Sequence, residues 1–179
     1  MNKRCDKFER VARDFYPTPM AAVLPLLPHL AIGTRFIEPC AGDGALFLRL
    51  EENGMHCPLA YDIAPQSDDI GTADALVDDL LCGLGGHVDF FITNPPWNRK
   101  TLHPLIKRLS DTLPTWLLFD ADWMHTKQSA PYMPRLRKVV SVGRVNWIPD
   151  SKMTGKDNCA WHLFDKPSDM PTQFFGRLA

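Results

Sequence analysis

Apolar and polar positions along the chain follow two periods, and their alternation predicts a succession of strands and helices. The short apolar run Arg35-Phe36-Ile37-Glu38 stops at Pro39 and passes through Cys40-Ala41-Gly42-Asp43-Gly44. It then gives way to Ala45-Leu46-Phe47-Leu48-Arg49-Leu50-Glu51-Glu52, a helical pattern that ends at Asn53-Gly54. This is strand, glycine loop, helix. A second strand is predicted at Pro58-Leu59-Ala60-Tyr61, closed by Asp62, and a third at Ile70-Gly71-Thr72-Ala73, closed by Asp74. Val88-Asp89-Phe90-Phe91-Ile92-Thr93, rich in β-branched and aromatic residues, predicts a fourth strand that runs straight into Asn94-Pro95-Pro96-Trp97, where proline stops the ladder. Leu102, Leu105, Ile106, Leu109 and Leu113 recur at a period of three to four, which predicts a helix over 102–113. Trp116-Leu117-Leu118-Phe119 is apolar on both faces, as a central parallel strand is, and ends at Asp120. Two more strands are expected at Val139–Val145 and Ala160–Phe164, with a polar loop from Pro149 to Asn158 between them. Strands alternating with helices predict a parallel, doubly wound α/β sheet whose ligands sit at the carboxyl ends of the strands. Glu38, Asp62, Asp74 and Asn94 lie at those predicted ends.

Composition leaves this picture intact. A chain of 179 residues suits one domain over 1–179, and 45% hydrophobic with 23% charged residues is ordinary globular usage, which excludes disordered, collagen-like and disulfide-rich classes. No stretch reaches the ~18 consecutive apolar residues of a membrane span, and Met1 to Arg10 lacks the apolar core of a signal peptide, so a cytoplasmic protein with no membrane partner is expected. Cys5, Cys40, Cys57, Cys82 and Cys159 are odd in number and widely spaced, which predicts reduced and mostly buried thiols rather than a metal site.

Charge does change the picture, because it is unevenly distributed. Basic against acidic residues number 5 to 2 over 1–13, 2 to 12 over 14–96, and 13 to 7 over 97–179, although the whole chain carries only −1. The acidic middle suits a cationic small molecule, and the basic flanks suit phosphates. Gly42 and Gly44 have no Cβ to keep a ligand from the backbone, but a phosphate site would want more glycines or a Lys-Ser/Thr pair, and Glu38 would repel phosphate. Glu38 instead favours an α-amino group. Asp62 is placed to accept from ribose hydroxyls, and Asp74 from an exocyclic adenine amine. Together these describe S-adenosylmethionine.

Tyr16-Pro17-Thr18-Pro19, Phe36-Ile37-Glu38-Pro39-Cys40-Ala41-Gly42-Asp43-Gly44, Tyr61-Asp62, Asp74 and Asn94-Pro95-Pro96-Trp97 resemble, in order, the motifs of class I S-adenosylmethionine-dependent amino-methyltransferases, particularly DNA adenine-N6 enzymes. The resemblance implies a single Rossmann-like methyltransferase domain, with a mostly parallel seven-stranded sheet and an antiparallel strand near the C-terminus. It also implies that Tyr16 and Thr18 help hold the methionine carboxylate. Glu38, Pro39, Cys40, Ala41, Gly42 and Gly44 would form the cofactor loop, Asp62 and Ile63 would meet the ribose, and Asp74 and Ala75 the cofactor's adenine. Asn94, Pro95, Pro96 and Trp97 would be catalytic, with Asn94 also bordering the cofactor, and no metal is implied. An arylamine lone pair is delocalised and weakly nucleophilic. The Asn94 amide oxygen and the Pro95 carbonyl can each accept one amino hydrogen, with the prolines fixing the chain, while Trp97 stacks on a flipped base.

The order of motifs resembles the gamma arrangement of DNA adenine methyltransferases, in which a C-terminal domain recognises the target. Only 82 residues follow Trp97, so no separate target-recognition domain is expected, and recognition falls to loops at Asn98–Thr101, Trp123–Arg137 and Asp150–Asp157, with Lys152 and Lys156. Relaxed specificity, a homodimer or a partner subunit would follow, and such compactness suits a phage or mobile-element enzyme. The tetrapeptide also occurs in enzymes that methylate adenine in RNA or a glutamine amide in proteins, while a cytosine-N4 enzyme would be expected to carry serine at position 94. A catalytically silent binding partner with the same fold is the alternative of another class, and the intact tetrapeptide speaks against it.

Overall fold

The computed structural model describes residues 16–148 and 155–177. Eight strands form one sheet: β1 (Arg35–Glu38), β2 (His56–Asp62), β3 (Gly71–Thr72), β4 (Phe90–Thr93), β5 (Thr115–Asp120), β6 (Leu136–Gly143), β7 (Cys159–Phe164) and β8 (Gln173–Phe175). Their order is β3-β2-β1-β4-β5-β7-β6-β8. β7 runs antiparallel to both its neighbours, β5 and β6, while the remaining pairs are parallel. The expected count of seven strands is therefore corrected to eight. The added strand is a three-residue edge beside β6, in a segment whose prolines at 167 and 171 hide it from a periodicity argument.

Among the described residues three α-helices accompany the sheet: α1 (Met20–Val23), α2 (Ala45–Glu51) and α3 (Arg99–Thr112). Alternation along each strand divides the core into two layers. Phe36, Ile92, Trp116, Leu118 and Trp161 pack on one face with Val23 and Leu26, and with Leu46 and Leu50 of α2. Ile37, Phe91, Leu117, Phe119 and Phe164 pack on the other with Leu102, Leu105, Ile106 and Leu109 of α3. Burying each of these large side chains contributes roughly 1.5–3 kcal/mol, so both layers are needed and the sheet is covered on both faces. α3 begins three residues before the apolar period starts, because Asn98 caps it: its Oδ1 accepts from the Thr101 backbone N–H at 3.1 Å.

Two side chains in this core lack, among the described residues, the partners that burial demands: the Trp116 indole nitrogen on β5 and the ring of His162. His162 on β7 is fully buried and stacks on Phe119 at 4.0 Å, yet among the described residues neither ring nitrogen has a hydrogen-bond partner of good geometry. Burial pushes its pKa down to about 3, only partly offset by the backbone at Leu117 and Ala160.

Between β1 and β4 the winding reverses. β2 and β3 build outward on one side and β5 on the other, so the carboxyl ends of β1 and β4 open a crevice at this point. Glu38 ends β1 and Asn94 follows β4, which brings together residues far apart in sequence. Thr93 Oγ1 ties the two ends by donating to the Cys40 carbonyl at 3.4 Å.

Candidate active site

A cavity of about 760 Å³ occupies this crevice, within the ~300–1,000 Å³ of ordinary small-ligand sites. Its floor is the loop after β1. Gly42 (φ +57°) and Gly44 (φ +86°) take left-handed conformations, and a Cβ on Gly44 would stand 2.7 Å from the Phe47 ring. The two glycines turn the chain sharply from β1 into α2, and Gly44 supports the loop from below without lining the cavity.

Acidic groups set the electrostatics. Glu38 is 1% exposed, and its Oε2 accepts the Phe47 backbone N–H of α2 at 3.0 Å. Burial holds its carboxyl well above the ordinary range, the Phe47 bond opposes that rise, and Asp43 and Asp62 add to it. Asp62 braces the glycine loop: Oδ2 accepts from Gly42 N at 2.9 Å and Oδ1 from Ala64 N at 2.8 Å. Asp74 Oδ1 accepts from Leu76 N at 2.8 Å. A carboxylate offers about four acceptor positions, so Asp62 and Asp74 each keep some for a ligand.

Most of the expected site residues share this cavity. Tyr16, Thr18, Glu38, Pro39, Cys40, Ala41 and Gly42 line it from the first motifs, with Asp62, Ile63, Asp74 and Ala75 opposite and Asn94 and Pro96 closing the β4 side. Pro95 is buried and not in the wall. Trp97 also lies outside the wall, half-buried. Its indole N–H donates to Asn94 Oδ1 at 3.2 Å, and its ring meets Trp147 edge-on with centroids 5.8 Å apart. Asn94 Nδ2 in turn donates to Thr18 Oγ1 at 3.2 Å. Sequence reasoning missed Gln66, whose N–H donates to the Gly42 carbonyl at 2.9 Å; Asn98 and Thr101, expected only in a recognition loop, line the cavity from the head of α3. Lys152 and the stretch 1–13 lie outside the described residues.

The cavity's chemistry discriminates among ligands. Among the described residues four acids and no lysine or arginine line it, which disfavours a phosphate-bearing nucleotide there, while an ammonium or sulfonium cation joined to a nucleoside finds both attraction and hydroxyl acceptors. S-adenosylmethionine fits that donor set. The Cys40 thiol in the wall is pushed up to about 12, mainly by burial, with the acids adding, so it is a poor nucleophile. The Cys159 thiol reaches about 12 for the same reason, and burial raises Cys57 further. No group of three or more potential metal ligands occurs among the described residues, nor any helix long and apolar enough to cross a membrane.

No protein-family model matches the chain, and no curated protein matches it. Solved structures do match. A class I S-adenosylmethionine-dependent methyltransferase inferred in Listeria monocytogenes superposes over 89% of this chain with a TM-score of 0.58 and 11% identity. A dimethyladenosine transferase from Plasmodium falciparum superposes over 87% (TM-score 0.52, 15% identity). A modification subunit of an inferred type I restriction enzyme from Vibrio vulnificus superposes over 90% (TM-score 0.53, 11% identity). The chain spans 64%, 63% and 47% of these three proteins. With the sheet order, the antiparallel β7 and the crevice between β1 and β4, the fold is that of the Rossmann-like, S-adenosylmethionine-dependent methyltransferases.

Proposed function

We propose that the protein transfers a methyl group from S-adenosylmethionine to the N6 amino group of adenine in DNA. The observation that carries this reading is the position of Asn94, which borders the same acid-lined cavity as Glu38, Gly42, Asp62 and Asp74. S-adenosylmethionine supplies an electrophilic methyl group. In this reading Glu38 faces its α-amino group, Asp62 its ribose, Asp74 and Ala75 its adenine, and Tyr16 its carboxylate.

The chain's own contribution to the chemistry is preorganisation. Asn94 Oδ1 and the Pro95 carbonyl accept the two amino hydrogens, which holds the nitrogen pyramidal with its lone pair turned to the methyl group. Trp97 offers a ring face to a flipped base, a contact worth about 1–3 kcal/mol per base. The names of two structural neighbours, a dimethyladenosine transferase and a restriction modification subunit, are compatible with adenine and with DNA respectively. Adenine in RNA is the second reading, favoured by a further structural neighbour, an RNA methyltransferase inferred in Pyrococcus horikoshii.

Labelled methyl groups offered with DNA, RNA and protein in parallel, followed by hydrolysis and nucleoside analysis, test the assignment. N6-methyldeoxyadenosine is the expected product. Label in N6-methyladenosine alone would move the substrate to RNA, and label in glutamine would remove nucleic acid from the reading.

A further inference from the structure

The Asn94 amide is held from both ends. Its nitrogen donates to Thr18 Oγ1 and its oxygen accepts from Trp97 Nε1, each at 3.2 Å. An indole nitrogen only donates, so Trp97 settles which end of the amide is oxygen: a flipped amide would set two donors face to face. The Thr18 hydroxyl can donate or accept, and in this arrangement it accepts. The two tethers differ in how firmly they are held. Trp97 is half-buried beside Trp147, where an incoming base would move it. Thr18 is 4% exposed and leads through Pro19 into α1, whose Ala22 carbonyl accepts from the buried Trp161 indole of β7 at 2.7 Å. The hydroxyl is thus anchored to the sheet.

We propose that Thr18 is a positioning residue for the transfer: its buried hydroxyl holds the amide nitrogen of Asn94, so that the amide oxygen stays turned to the target amine when Trp97 moves to the base. A carbonyl oxygen has two lone pairs, so Trp97 in the empty site leaves one for an amino hydrogen. Without the Thr18 acceptor, the amide can rotate about a broad two-fold torsion and presents a donor where the reaction needs an acceptor. This role differs from holding the cofactor's carboxylate, and it rests on the reading of Asn94 as the amine's acceptor.

Thr18→Val, nearly the same shape without the hydroxyl, is expected to lower kcat by ~10- to 100-fold while cofactor affinity by calorimetry stays within about threefold, since misplacing a reacting group carries penalties of that size. Thr18→Ser, which restores the acceptor, should recover most of the loss. In the cofactor-free protein, T18V should also shift the Trp97 indole N–H resonance, because its acceptor is no longer fixed, and T18S should not. Should T18V not fold, Thr18→Ala carries the same expectations. Cofactor affinity lost in step with activity, or T18S as impaired as T18V, would overturn the positioning role. Asn94→Ala separates the two levels of the argument. A wild-type rate in N94A would remove the reading of Asn94 and this inference with it, whereas a slow N94A beside a wild-type T18V would overturn this inference alone.

Discussion

Glu38 carries the most perturbed acid of the site, and the direction of its shift predicts a proton linked to cofactor binding. Burial raises its carboxyl, so the empty protein keeps this proton to a higher pH than an ordinary glutamate does, and that contribution to stability is present at low pH and lost as pH rises through the raised value. An ammonium group placed against Glu38 favours the carboxylate, so binding below the raised value should release a proton, and affinity should climb with pH until that value is passed. Calorimetry in two buffers of different ionisation enthalpy measures the proton directly. Glu38→Gln should bind more weakly and release none. His162 shifts the opposite way. Its ring is buried neutral with a pKa of about 3, so the stability it supports is present above the ordinary value near 6.5 and is lost as pH falls between the two, up to about 5 kcal/mol at 1.36 kcal/mol per unit. His162→Phe keeps the stack on Phe119 and removes both unpartnered nitrogens. Acid titrations followed by circular dichroism should show the variant losing much less stability between pH 6.5 and 3; an unchanged curve would acquit His162.

At the level of elements, the loop from β1 into α2 is the most constrained piece. Gly44 sits at φ +86° with the Phe47 ring below it, so Gly44→Ala meets both backbone strain of ~1–3 kcal/mol and a clash. Because the Phe47 N–H is also the Glu38 partner, thermal melting and cofactor affinity should fall together in G44A; a lowered melting temperature with full affinity would separate the loop from the site. This loop was legible in the sequence, as were β1, β4, β5, both longer helices and the acids at the strand ends, because each is set by local period and punctuation. What escaped was non-local. The placement of β7 between β5 and β6, and the edge strand β8, depend on pairings that no local pattern encodes. The same holds at the site. Asn94 and Thr18 could be singled out by motif, but their contact across 76 positions could not, and Trp97 turned toward Asn94 and Trp147 rather than into the cavity wall. α3 began early because a cap, rather than the apolar period, sets its start.

Over the whole molecule, charge is sorted between the cavity and its surroundings. Acids line the crevice, while Arg99 and Lys100 stand exposed at the head of α3 beside Asn98 and Thr101, with the Arg99 guanidinium bonded to Gln128. If the substrate is a polyphosphate, its affinity should fall steeply with salt. Removing Arg99 and Lys100 together should reduce the slope of log affinity against log salt by about two without changing cofactor binding. A flat salt response would favour a protein substrate. The thiols add a practical corollary. With Cys40, Cys57 and Cys159 held far from their thiolate forms, exposed Cys82 is the described sulfur open to alkylation at neutral pH. A fluorophore coupled there, with Cys5 replaced by serine, would give a single-dye protein whose anisotropy tests DNA, RNA and protein as partners while leaving the crevice unmarked.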